Sequence, residues 1–253
     1  MDRPSDTVRS PAVLIAWVAG VAALLSFCRP LGFAEAGLAE NAIQGEERAQ
    51  ILDRLRERQR EVTTVRATVV QRKRHPLLRA EAISQGTFLF RRPNLVRWEV
   101  DKPERTIILI DGHTLLIYRP DANEAERRDL RGDVASRAAA EFLTSGMSLD
   151  LPALEKQFQV DLYRENGRLA LMLTPRSRLV AQAVTSVTIY QDEMEAIPRQ
   201  IVVVGQKGER TETTLTHVII NPQVPEDAFT LRLGPSVHVT DIGKPEGERG
   251  SDR

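Results

Sequence analysis

About ten runs of alternating apolar and polar residues, most of them joined by short turn signals, constrain this chain more than any other feature. They begin at Val62–Arg72 (VTTVRATVVQR) and Ala82–Arg91 (AISQGTFLFR) and continue through Leu95–Val100, Thr106–Ile110 and Thr114–Tyr118. After a gap they resume at Phe158–Arg164, Leu169–Thr174, Val184–Gln191, Pro198–Val204 and Thr211–Ile220. Turn chemistry separates them: Pro93-Asn94, Asp111-Gly112-His113, Asn166-Gly167, Asp192-Glu193 and Gln206-Lys207-Gly208. Asn-Gly supplies the positive φ that a tight hairpin requires. Strands joined this closely pair antiparallel. A sheet of about ten twisted strands does not stay flat, because each pairing adds a rotation of the same hand. The fold expected is therefore mainly β with α: a curved antiparallel half-barrel of about ten or eleven strands.

Three segments carry the helical period instead. Glu46–Arg60 (EERAQILDRLRERQR) puts Ile51, Leu52 and Leu55 on one stripe of an otherwise charged helix. Asp133–Thr144 (DVASRAAAEFLT) is a second, Ala-rich helix, and Leu151–Phe158 a third, short one. The last two interrupt the strands once, so they are expected to cover the concave face as a lid and to enclose an apolar cavity.

The ends of the chain differ in composition from its middle. Arg3 and Arg9 precede an apolar run from Pro11 to Cys28, and Ala34 and Ala36 then fit a small-residue cleavage site. Residues 1–36 read as a secretory signal peptide, with an uncleaved inner-membrane anchor as the alternative, and residues 37–45 as a linker. Cys28 is the only cysteine; Phe27 before it does not fit a lipidation site, and a chain cleaved after it has no thiol chemistry. Residues 46–240 form the domain, and residues 241–253 read as a flexible charged tail. Lys plus Arg and Asp plus Glu each total 35, and this balance gives no support to nucleic-acid binding, which would need a basic face.

The segment Gly86–Asp101 (GTFLFRRPNLVRWEVD) is the most specific in the sequence. Its Arg92-Pro93-Asn94 turn followed by Leu95-Val96-Arg97-Trp98 resembles the central motif of the outer-membrane lipoprotein carrier family, LolA. Asp111-Gly112-His113-Thr114-Leu115-Leu116-Ile117-Tyr118-Arg119-Pro120 is similar to that family's D-G-x-T-L-x-x-Y-x-P hairpin. Val69-Val70-Gln71, Asn221 and Pro225–Leu231 fit its early strand and its closing segment, so the resemblance runs from about Glu46 to Val239. It implies an incomplete barrel whose cavity holds the acyl chains of lipoproteins in the periplasm. It also implies delivery by an inner-membrane lipoprotein-release complex to an outer-membrane acceptor, by a carrier that works as a monomer without a cofactor. The role of lid latch falls on Arg92, whose guanidinium fork can bond lid carbonyls. Candidates for the acyl-chain lining are Val96, Trp98, Ile108, Ile110, Leu116, Tyr118, Phe142, Leu143 and Met147. Two departures bear on cargo: Val96 stands where the family often has an aromatic, and Arg137-Ala138-Ala139-Ala140-Glu141 is less bulky than a lid that grips acyl chains.

Catalytic readings find no support. His75, His113, His217 and His238 show no metal-ligand spacing, and neither a G-x-S-x-G elbow nor a phosphate-binding glycine loop occurs. The basic runs Arg72-Lys73-Arg74 and Arg127-Arg128 read as water-facing, available to a partner or an anionic headgroup. Two alternatives to a lipoprotein carrier stay open: a carrier of free lipid or glycolipid, and a membrane-tethered sensor or interaction module of the same fold.

Overall fold

The structure, a computed structural model, describes residues 42–132 and 134–242. The proposed signal peptide, most of the linker and the tail from residue 243 lie outside them. Among the described residues no helix is long and apolar enough to cross a membrane.

One sheet of 13 strands organises the chain. A two-residue strand β1 (Ala42–Ile43) leads into helix α1 (Gly45–Arg60), whose Ile51, Leu52 and Leu55 are buried. A meander follows: β2 (Thr64–Arg74), β3 (Ala82–Arg91), β4 (Leu95–Lys102), β5 (Thr106–Asp111), β6 (Thr114–Arg119) and β7 (Glu124–Asp129). Helices α2 (Val134–Ser148) and α3 (Leu151–Gln157) interrupt it, with Asp150 capping α3 through the Ala153 N–H. A second meander comprises β8 (Phe158–Glu165), β9 (Arg168–Pro175), β10 (Val184–Gln191), β11 (Gln200–Gly205) and β12 (Arg210–Ile220), with the short helix α4 (Arg178–Ala181) before β10. β12 returns to pair with β2, joining the two meanders. A 3-10 turn at Glu226–Phe229 precedes β13 (His238–Ile242), which pairs with β7 in parallel.

The ten expected strands are present, and three were not foreseen: β1, β7 and β13. The lower boundary of the domain also moves, since Ala42–Ile43 is strand and α1 starts at Gly45, inside the segment read as linker. At the other end Asp241 and Ile242, read as tail, complete β13. Curvature has a local cause at β3: a Cβ on Gly86 would stand 1.8 Å from the Glu99 carbonyl oxygen, and the β3–β4 register slips between Gln85 and Gly86. Only glycine permits that approach, and the bulge bends the sheet.

Candidate functional site

Alternation sorts every strand into two faces. On the concave side stand Phe88 and Phe90 of β3, Val96 and Trp98 of β4, Ile108 and Ile110 of β5, and Leu115 and Ile117 of β6. Phe88 and Trp98 meet edge to face, ring centroids 6.5 Å apart. Leu143 and Met147 of α2, Leu151 and Leu154 of α3, and the α1 stripe pack into the same cluster. Phe142 lies partly buried against it, its ring 5.6 Å from that of Phe158. Ala139 and Ala140 are buried too.

Seven of the nine lining candidates therefore share one apolar volume: Val96, Trp98, Ile108, Ile110, Phe142, Leu143 and Met147. Leu116 and Tyr118 do not. They belong to a second cluster on the convex face with Ile107, Leu109 and Phe229. Register is the reason. Ile110 pairs with Leu115 and Ile108 with Ile117. An even number of residues separates such partners, so the parity of the inward positions reverses between β5 and β6. The missed lining residues, Leu115 and Ile117, follow from the same rule.

Arg92 also differs from expectation. Its Nε donates to the Val62 carbonyl at 2.5 Å and its terminal nitrogen to the Gln59 carbonyl at 2.8 Å. Among the described residues both bonds end at α1 and the turn after it, not at α2 or α3. The lid is reached one residue further on: the Gln59 side-chain amide donates to the carbonyl of Ser148, the last residue of α2. Gln59 is the polar position on the buried stripe Ile51, Leu52, Leu55, and that misfit was the signal available for it. Asn221, at φ 53°, fastens the same corner by accepting from the Thr63 and Thr64 N–H groups and donating to the Glu61 carbonyl.

Two crevices of about 310 Å³ each open beside α2. One lies against the β5–β6 turn, between Ile110, His113 and Leu130 and the helix residues Arg137 and Ala140. The other lies between Pro93 and Ser145, Ser148, Ala153 and Lys156. Both share Glu141 and Thr144, so they meet around one turn of α2. At the rim of the first, the Arg131 guanidinium bonds Asp129 and holds its carboxyl down to about 2.

The trough is not apolar throughout. Gln71 and Lys73 follow Val65, Ala67 and Val69 on the inward side of β2, and Gln71 donates to Thr213 across the sheet. Burial lowers the Lys73 pKa to about 8. On β7, Glu126 and Arg128 pair with the inward residues Ile117 and Leu115, and Arg128 is 4% exposed. Lys73 and Arg128 thus depart from the water-facing reading of their basic runs. No group of three or more metal-ligating side chains occurs among the described residues.

A model of the family described as outer membrane lipoprotein carrier protein LolA matches residues 60–232. The chain belongs to the LolA family. An outer-membrane lipoprotein carrier protein from Cupriavidus necator is 30% identical over 198 residues, covering 77% of this chain and 89% of that relative. One of the same description from Cupriavidus pinatubonensis is 31% identical over 153 residues, covering 60% of this chain and 68% of the relative. Among solved structures, a LolA superfamily protein from Nitrosomonas europaea aligns over 72% of this chain and 97% of its own, with 15% identity and a TM-score of 0.42.

Proposed function

We propose that this chain is a periplasmic, non-enzymatic carrier that binds the acyl chains of lipoproteins between the concave sheet face and α2–α3, and shuttles them from the inner to the outer membrane. The observation that carries the reading is the apolar cluster shared by sheet and helices, to which Leu143 and Met147 of α2 contribute; in this reading an acyl chain takes their place. Magnitudes favour exchange. Lifting those two side chains out of the trough costs about 1.5–3 kcal/mol each. An acyl chain gains about 0.8 kcal/mol per buried methylene, so roughly four to eight methylenes offset the opening. A lid replaced by cargo of like polarity closes again when the cargo leaves, and no covalent step is needed. In this reading an inner-membrane release complex loads the trough, and an outer-membrane acceptor empties it.

The latch of this carrier is the relay Arg92 to the Gln59 carbonyl and Gln59 amide to the Ser148 carbonyl. Arg92 fixes the end of α1 and so positions the amide that holds α2.

Native mass spectrometry with lipid extraction, on protein purified gently from a bacterial periplasm, tests the proposal. Co-purified lipoprotein is the expected result. Free phospholipid or glycolipid alone would move the cargo to the second class of lipid carrier. A protein that is empty and refuses acylated peptide would overturn both.

A further inference from the structure

The end of the sheet opposite the Arg92 turn carries a feature that the trough does not use. Between β2 and β3 the chain makes a tight turn, with the Leu78 N–H donating to the His75 carbonyl at 3.0 Å and Pro76 inside it. Tips of this kind are usually polar. Here they are Leu77, 78% exposed, and Leu78, 67% exposed, the first of these the most exposed large apolar residue described. Isolated surface leucines are common, but two in succession on a projecting tip are not explained by packing.

Cations surround them. Arg72 and Arg74 stand at the end of β2, Arg79 follows the leucines, and Glu81 is shared between Arg72 and Arg74 at 3.5 and 3.1 Å. The β11–β12 turn lies alongside: a Cβ on Gly208 would stand 3.2 Å from Pro76, and Arg210 pairs with Arg74 in register. That turn adds Lys207, and Arg210 in an ion pair with Glu212 at 3.9 Å, against Glu209. Among the described residues neither Arg79 nor Lys207 has an ion-pair partner.

We propose that the β2–β3 tip is a docking site for an anionic lipid bilayer, with Leu77 and Leu78 entering the interface and the surrounding arginines and Lys207 meeting lipid phosphates. The combination of exposed apolar side chains with a cationic collar is the one that partitions to such surfaces. A folded protein partner would call for a broader patch, about 800 Å² on each side, than a two-residue projection provides. The inference is independent of what fills the trough: it concerns where the protein touches a membrane.

The test uses the full chain with Cys28→Ser and a single environment-sensitive dye on Leu78→Cys. A second chain carries the dye on Arg168→Cys, in the β8–β9 hairpin at the other end of the sheet. Because the N-terminal apolar run can itself attach the chain to lipid, the readout is depth at each dye. With vesicles of phosphatidylcholine containing phosphatidylglycerol, the dye at 78 is expected to shift to the blue and to be quenched by spin-labelled lipid, and the dye at 168 to stay aqueous. Arg79→Glu with Lys207→Glu is expected to weaken the tip's partition about 25-fold or more, at about fivefold per cation lost, with the circular dichroism spectrum unchanged. The proposal is overturned if the dye at 78 sits no deeper than the dye at 168, or if pure phosphatidylcholine and the doubly reversed tip give the same depth as the anionic vesicles with the native cations.

Discussion

The two faces of the sheet are both covered, but by different means. On the convex face the segment after β12 runs as a strap, with Val224, Ala228, Phe229 and Leu231 against Ile107, Leu109, Leu116 and Tyr118. Two arginines fasten it to the strands beneath. Arg91 donates to the Val224 and Pro225 carbonyls at 2.9 and 3.1 Å and lies over the Phe229 ring at 5.0 Å, and Arg97 donates to the Ala228 carbonyl at 3.0 Å. On the concave face the hydroxyls of Thr144, Ser145 and Ser148 in α2 bond back to carbonyls of their own helix, and the Gln59 amide reaches α2 from the frame. Hydrogen bonds to charged donors are worth about 1.5–3 kcal/mol against roughly 1 for neutral ones. The strap is therefore tied by charged donors and α2 by neutral ones, and in the proposed carrier α2 is the cover that lifts. Cover on both faces also accounts for the unbroken apolar run Ile107–Ile110, since β5 is buried on both sides.

The largest effect should separate the two covers outright. Phe229→Ala removes the strap's anchor and is expected to cost about 3–5 kcal/mol, read as a lowered denaturant midpoint. Leu143→Ala should fall at the low end of its class, about 2 kcal/mol, because the helix above it can settle. Equal losses would break the comparison.

A smaller change, of opposite sign, probes the polar end of the trough. Burial lowers the Lys73 pKa from 10.5 to about 8, so between those values the unfolded chain binds the proton more tightly and stability rises with pH. Lys73→Met should stabilise the protein at neutral pH by about 1–3 kcal/mol and flatten that rise, measured by unfolding at several pH values. A variant that keeps the slope would assign it to another group.

The smallest effect on stability is expected at the relay. Gln59→Ala should cost about 1 kcal/mol. Yet Gln59→Ala and Arg92→Leu should both speed hydrogen exchange in α2 and change cargo release, leaving exchange in the strap as it was. Combining them should add little beyond either alone. Full additivity, or unchanged release, would remove Arg92 and Gln59 from the mechanism.

Where the sequence reading succeeded, a face of each element was apolar enough to show its period. Phe88 and Phe90, Val96 and Trp98, and the stripe of α1 declare their sides without coordinates. β7 was missed because its inward positions are Glu126 and Arg128, so the alternation that marks a strand is between charges. β13 was missed because its residues are half exposed at the sheet's edge, and β1 because two residues carry no period. At the site, Leu116 and Tyr118 fall on the convex face because the β5–β6 register reverses the parity of inward positions, which depends on pairing and not on the sequence motif. The Arg92 turn was recognisable from its motif, but its partner depends on where α1 ends, which only packing decides.

In the proposed carrier, acyl chains enter on the α2 side of the sheet and not beneath the strap. Photo-crosslinking residues placed singly at Leu143 and at Leu116, in protein loaded with an acylated peptide, test it most directly. The acyl chain is expected to be captured at 143 and not at 116. Capture at 116, or none at 143 in protein shown to be loaded, would contradict it.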